Sequence, residues 1–169
     1  VIRLAASGLN RGGVGHRFLA GSQPSLEAQL TNLADEVAYN AHDVDDGVRS
    51  GLLDLQQLRE VPLLQRTWEE VERDHPGLSH DQPRRLLAEV IRRVLSAQIY
   101  DLIAATEAQL AQSQPQDAWA ARRLEPQGRF SPAMRADSTE LKRFLFKALY
   151  RHPQVMETTA AAKQTLIEL

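Results

Sequence analysis

The chain reads as all-α, a multi-helix bundle. Three observations carry that reading. Apolar residues recur at helical spacing along most of the chain. Runs of β-branched residues with period-two alternation, the mark of a strand, are missing. Proline, serine and glycine fall where helices start and stop, and the connections between them are short enough for antiparallel neighbours. A length of 169 residues leaves room for one domain with a real core, and 43% hydrophobic with 25% charged residues is ordinary for a soluble globular protein. With only 5% aromatic residues, the core is expected to be built of Leu, Ala, Val and Ile.

Taken in order, residues 1–23 are poorly patterned. Gly8, Gly12, Gly13, Gly15 and Gly21 fall within fourteen residues, as in a loop or a junction between segments. Gly12-Gly13-Val14-Gly15 lacks both the preceding strand and the following Lys-Ser/Thr of a phosphate-binding P-loop. Residues 24–169 make the helical part. Its first helix runs from about Leu26 to about Arg49, after Pro24 and with Ser25 as N-cap; Glu27 suits the positive end of the macrodipole. Leu30, Leu33, Val37, Ala41, Val44 and Val48 form its buried stripe, and Gly51 stops it. Residues 52–61 predict a short helix. Pro62 opens another that ends near His75, with Leu63, Leu64, Trp68 and Val71 inward. Asp81 is the expected cap of the longest helix, about Gln82 to Gln112, whose apolar face is Leu87, Val90, Ile91, Val94, Ile99, Leu102 and Ile103. Residues 117–130 read as a loop with room for one helical turn. Ser131-Pro132 starts a short helix, and Ser138 or Thr139 a second one carrying Leu141, Phe144, Leu145 and Leu149. Pro153 breaks that helix, and Val155 to Leu169 forms the last.

Composition narrows the function. The absence of cysteine excludes a disulfide scaffold, a thiolate metal site and a cysteine nucleophile, and it fits a cytoplasmic protein. No apolar run is long enough to span a membrane. A net charge of −2, with no basic patch or fingerprint motif, argues against a nucleic-acid partner. Arginine greatly outnumbers lysine, as a GC-rich genome or a need for carboxylate and phosphate pairing would each produce.

Chemistry concentrates on the first helix. Asp35, Tyr39 and Asp43 are spaced four residues apart, so one helix can present a carboxylate, a phenol and a second carboxylate toward one pocket. Asp35 is a hard oxygen ligand for a divalent cation. One carboxylate does not make a metal site, and Asp35, Glu36, Asp43, Asp45 and Asp46 also read as the solvated face of an amphipathic helix. His42 and Asp43, as neighbours on a helix, point about 100° apart and are not read as a metal pair; His42 is expected to pack or to hydrogen-bond.

From about Pro24 to His152 the sequence resembles the C-terminal half of bacterial deoxyguanosinetriphosphate triphosphohydrolase-like proteins, of the HD-domain superfamily. The matching residues are Pro24-Ser25-Leu26-Glu27-Ala28-Gln29 and the block Leu33-Ala34-Asp35-Glu36-Val37-Ala38-Tyr39-Asn40-Ala41-His42-Asp43-Val44-Asp45-Asp46-Gly47. Glu89-Val90-Ile91-Arg92-Arg93, Leu141-Lys142-Arg143-Phe144-Leu145 and Leu149-Tyr150-Arg151-His152 support them. The resemblance implies hydrolysis of a deoxynucleoside triphosphate, dGTP foremost, to deoxynucleoside and intact triphosphate. It implies a divalent metal ion, magnesium or manganese, and a homo-oligomer. Asp35 stands at the family's final metal-binding aspartate, Tyr39 at a tyrosine near the substrate sugar and phosphate, and Asp43 at the aspartate that contacts the 3′-hydroxyl. Where some relatives carry a phosphate-binding lysine, this chain has Glu36, so that contact does not carry over. Arg151 and His152, in a family-like block, are candidate phosphate contacts.

One departure stands out. The family's first histidine, its His-Asp pair and its acid/base residues belong upstream of Pro24, where this sequence offers only His16 and no aspartate or glutamate. No catalytic residue is therefore assigned within this segment, and the metal ligands other than Asp35 are expected upstream of it. Arg143, Lys147 and Arg151 repeat at four-residue spacing, as a phosphate-facing stripe or as a solvated face. The alternative to an enzyme segment is a non-catalytic helical module for oligomerisation or nucleotide sensing.

Overall fold

Local signals set the helix ends in the computed structural model, which describes residues 21–78 and 82–168. Along them run α1 (Leu26–Arg49), α2 (Leu55–Leu58), α3 (Pro62–Asp74), α4 (Pro83–Ser113), α5 (Ala118–Arg123), α6 (Pro132–Leu145), a π-helical turn (Phe146–Tyr150) and α7 (Pro153–Glu168). The described residues contain no strand, so the protein is all-α as its periodicity predicts. The Gly-rich stretch up to Ala20 and the expected cap Asp81 lie outside the described residues.

The ends of α1 follow its sequence. The Ser25 hydroxyl accepts from the Ala28 amide at 3.3 Å, closing the first turn. At the other end Gly51 takes a left-handed φ of 74°. Its amide reaches the Val48 carbonyl at 3.1 Å, and the Leu52 amide reaches the Gly47 carbonyl at 2.9 Å. That pair of bonds is a Schellman motif, which glycine adopts without the Cβ clash other residues meet. The short α2 is held by a capping box: Asp54 accepts from the Gln56 and Gln57 amides at 2.7 and 2.8 Å, and the Gln57 side chain accepts from the Asp54 amide at 3.1 Å.

The described residues divide into two compact units, residues 21–34 with 102–129, and residues 35–78 and 82–101 with 130–168. In the first, the Gln29 side chain is the organising element. Its oxygen accepts from the Gln127 and Gly128 amides at 2.8 and 3.0 Å, and its nitrogen donates to the Pro24 carbonyl at 3.0 Å. These bonds satisfy buried backbone groups that would otherwise be orphaned. Gly128 lies against them so closely that a Cβ there would come within 3.1 Å of Gln29 Cβ. The stretch read as a loop with one turn holds α5, capped by Asp117 on the Ala120 amide at 2.7 Å.

The second unit contains the main core: Val44, Leu53, Leu58, Val61, Leu63, Leu64, Trp68, Val71, Leu86, Leu87, Val90, Val94, Leu141, Leu145 and Leu149. Aliphatic residues dominate it, as the low aromatic content requires. Three ion pairs tie α3 to its surroundings in this unit: Arg66 bonds Asp137 of α6, Arg59 after α2 bonds Glu72, and Arg93 of α4 bonds Asp74 at 2.7 Å.

Three expectations are corrected. The two helices predicted after Ser131 are one, α6, because Ser138 is a buried residue inside the helix and not a cap at its start. The last helix begins at Pro153, which takes the first helical position where proline's missing N–H costs nothing. Ile99 and Ile103, assigned to the apolar face of α4, are 45% and 48% exposed, and their neighbour Tyr100 is 72% exposed. Periodicity marks an apolar face but does not say what covers it.

Candidate functional site

Helix α1 sets three of the candidate side chains, all in the second unit. Val37, Val44 and Gly47 face the interior, and Asp35 and Tyr39 lie on the exposed side. Asp43 is half-buried between these two faces. His42 is exposed, so of the two roles expected of it, packing or hydrogen bonding, packing is not met.

Asp43 is the best-anchored of them. The Tyr150 hydroxyl donates to its Oδ2 across 107 residues of sequence. Hydrogen bonding to Asp43 is the main reason the Tyr150 phenol is pushed up to about 12; partial burial and the charge of Asp43 add to it, and so does nearby Tyr39. Tyr39 lies one turn before Asp43 on the same helix, so Tyr39, Asp43 and Tyr150 form one cluster. Tyr39 is 62% exposed and Tyr150 46%, so both rings offer a face to an incoming ligand.

The π-helical turn explains how Tyr150 arrives there. The Arg151 amide bonds the Phe146 carbonyl five residues back, at 3.2 Å. The wider turn changes the phase of the helix after Leu145, so the four-residue stripe of Arg143, Lys147 and Arg151 is interrupted. Arg151 instead sits over the Phe146 ring, 5.0 Å from its centroid. His152 is half-buried and closes the connection to α7: its amide donates to Leu149 at 3.0 Å and its carbonyl accepts from Met156 at 3.0 Å. Sequence reading singled out the block Tyr150-Arg151-His152 and named Arg151 and His152 as its phosphate contacts, yet Tyr150 makes the contact to Asp43. Tyr150 lay within a family-like block, but nothing local pairs it with a residue so far back in the chain.

Glu36, one residue from Asp35, turns the opposite way. It accepts from the buried Ser138 hydroxyl at 3.2 Å and pairs with Arg135 at 3.5 Å and Lys142 at 3.1 Å, all on α6. Its carboxylate joins α1 to α6 and is not presented to a ligand.

A metal requires more than Asp35. Among the described residues no group of three or more His, Asp or Glu side chains is placed to hold an ion. A lone exposed carboxylate does not meet the ligand count of a catalytic metal site. The described residues alone thus do not fit a metal.

Residues 128–169, which include α6, the π-helical turn and α7, match the phosphohydrolase-associated domain. Over 94% of its length the chain is 51% identical to a deoxyguanosinetriphosphate triphosphohydrolase-like protein of Bordetella pertussis, covering 40% of that protein. A protein of the same name from Ralstonia nicotianae gives the same identity and coverage. One from Geobacter sulfurreducens is 40% identical over 90% of the chain and 39% of the relative. The chain spans about two fifths of the length of the curated relatives it matches. It carries a phosphohydrolase-associated domain and is a relative of the deoxyguanosinetriphosphate triphosphohydrolase-like proteins, as its sequence resemblance implied.

Proposed function

We propose that this chain is a segment of a cytoplasmic, homo-oligomeric enzyme that hydrolyses a deoxynucleoside triphosphate, dGTP foremost, to deoxynucleoside and triphosphate. Water adds to the α-phosphorus and the bond from phosphorus to the 5′-oxygen breaks. One water proton ends on the 5′-oxygen, and the triphosphate leaves intact. The observation that carries the reading is the cluster of Tyr39, Asp43 and Tyr150, with Asp35 one turn before it on the same helix. In this reading Asp43 accepts from the 3′-hydroxyl and Tyr39 packs beside the sugar. Orientation of this kind lowers a barrier by up to roughly 7–11 kcal/mol when it is complete. Asp35 would supply one ligand to magnesium or manganese, which would offset phosphate charge; the family resemblance implies the other ligands upstream of it. Arg151 and His152 serve the phosphates only if Arg151 leaves the Phe146 ring.

The test is to incubate the full-length protein with dGTP and either metal and to separate the products. Intact triphosphate from the native protein, lost in Asp35→Ala, is the expected result. Release of pyrophosphate or orthophosphate, or normal turnover by Asp35→Ala, defeats the reading.

A second reading, a helical module for oligomerisation or nucleotide sensing, is favoured by one observation. Ile99, Tyr100 and Ile103 expose apolar surface on α4, and α7 buries none of its residues. Nucleotide binding without product release in the full-length protein would support it.

A further inference from the structure

We infer that the cavity between the end of α3 and the first half of α4 is a separate binding site for a small phosphate-type oxyanion, held by Arg85, Arg92 and His75. None of its residues lies on α1, so the site goes beyond the proposed reaction and does not rest on it.

The cavity measures about 320 Å³ and is lined by His75, Leu78, Arg85, Ala88, Glu89 and Arg92. Ligand sites span roughly 300–1,000 Å³, so this one suits a small ion and not a whole nucleotide. Its wall carries two guanidinium groups and a single carboxylate, and that carboxylate is already engaged. Arg92 bonds both oxygens of Glu89, at 2.6 and 2.8 Å, and Arg93 adds a third bond at 3.0 Å. Those bonds hold the Glu89 carboxyl at about 2, so it stays charged near neutrality and acts as a fixed brace. The brace sets the plane of the Arg92 guanidinium, whose Nη1 donors are unused among the described residues. Arg85 lies seven residues before Arg92, two turns along the same face of α4, and donates to the neutral Gln82 side chain at 3.3 Å. His75 is fixed where α3 ends: its amide donates to the Val71 carbonyl at 2.8 Å and its own carbonyl accepts from the Leu78 amide at 3.0 Å. Even a neutral imidazole then offers one N–H to the cavity. Forked guanidinium donors match the oxygens of a phosphate bidentately, and Leu78 and Ala88 add no competing acceptor side chain. The family-like block Glu89-Val90-Ile91-Arg92-Arg93, which the proposed reaction leaves unused, gains a role here: Arg92 as anion ligand and Glu89 as the group that positions it.

The experiment is isothermal titration calorimetry of the full-length protein with sodium orthophosphate and with sodium triphosphate, at fixed ionic strength and without divalent metal. Two variants decide it. Arg85→Ala removes one cation from the wall and should weaken binding about tenfold, the effect of losing one partly exposed hydrogen bond to a charged group. Ala88→Leu leaves every charge in place and fills the cavity. Ala88 is exposed, so the fold tolerates the larger side chain, and binding should fall below detection. Binding by the native protein that both variants weaken supports the site, and the ion bound more tightly identifies its source as free phosphate or as a longer polyphosphate. Native affinity in either variant overturns the inference, because a solvated charged face would not notice Ala88→Leu and a site without Arg85 is not the one described. No binding of either ion by the native protein overturns it as well. If the native protein releases no triphosphate from any deoxynucleotide, the reaction reading fails while the calorimetry still decides this site.

Discussion

Replacing Glu36 tests whether the position one residue after Asp35 serves the fold or the ligand. The structure gives its carboxylate three partners on α6: Ser138, Arg135 and Lys142. The Ser138 hydroxyl is fully buried, and a hydrogen bond to an ionised group is worth roughly 1.5–3 kcal/mol. Part of that is recovered on truncation, because a helical serine can turn to the carbonyl four residues back. The two cations are about half exposed, at 46% and 50%, so each pair adds roughly 0–1 kcal/mol. Glu36→Ala should therefore cost about 2–3 kcal/mol. Glu36→Gln, which keeps an acceptor for Ser138, should cost about 1 kcal/mol. Glu36→Lys should be worst, since it sets a third cation beside Arg135 and Lys142. Urea titration followed by circular dichroism reads all three, and a double-mutant cycle with Ser138→Ala isolates the buried bond. The order Gln, Ala, Lys in rising cost is the refutable content. A lysine variant as stable as the native protein would show that Glu36 does not hold α1 to α6 and that its side chain is free for a ligand.

Other predictions follow from close contacts and charge. Gly47→Ala places a Cβ 2.5 Å from Leu53 Cδ1 and 2.8 Å from its Cγ, and Leu53 is buried, so a cost of about 1–3 kcal/mol is expected in chemical denaturation, relieved by Leu53→Ala in the same chain. Gln29→Ala strips the acceptor from the buried Gln127 and Gly128 amides, at roughly 1–3 kcal/mol for each, and those two amides should exchange with solvent markedly faster; unchanged exchange would refute the role given to Gln29. Hydrogen bonds from Arg92, then Arg93, hold the Glu89 carboxyl down at about 2. A lowered carboxyl stabilises the fold above its unfolded value, near 4.5, and that contribution disappears as pH falls from there through about 2. Glu89→Gln should flatten the stability profile across that acid window and leave its slope near neutrality unchanged.

How much of this was legible in the sequence depends on the range of the interaction. Helix α1 was readable to its ends because its cap, its stripe and its stop are local: Ser25, the Val37 and Val44 spacing, and Gly51 in the left-handed region. Its buried face was readable only in part: Val37 and Val44 are buried, but Leu30, Leu33, Ala41 and Val48 are half-buried, and the buried polar Gln29 and Asn40 carry no apolar signal. Ser138 misled because serine within a helical run reads as a cap, and only a partner 102 residues away explains it as a buried donor. Ile99 and Ile103 misled because apolar spacing fixes a face without naming its cover. Tyr150 was not assigned because its role depends on a partner 107 residues distant and on a π-helical turn that no periodicity announces.

Those long-range contacts also bear on how one helix serves two purposes. Successive residues on α1 diverge by about 100°, so Asp35 and Glu36 cannot share a destination. Glu36 is spent on α6 inside the second unit, which fixes the rotation of α1 about its axis. With that rotation fixed, and with Gly47 letting Leu53 pack hard against the same helix, Asp35 and Tyr39 are obliged to face outward. Asp43 lies between the two directions and is the one carboxylate of the three that meets both a protein donor and the open face. A change that rotates α1 should then act on all of them together: crowding at Gly47 would move Asp43 against Tyr150 as well as weaken the core. The Tyr150 titration in Gly47→Ala is the sensitive check. A phenol still titrating near 12 in a clearly destabilised variant would mean that the Asp43 contact is set by the π-helical turn alone, and that the rotation of α1 does not govern the site.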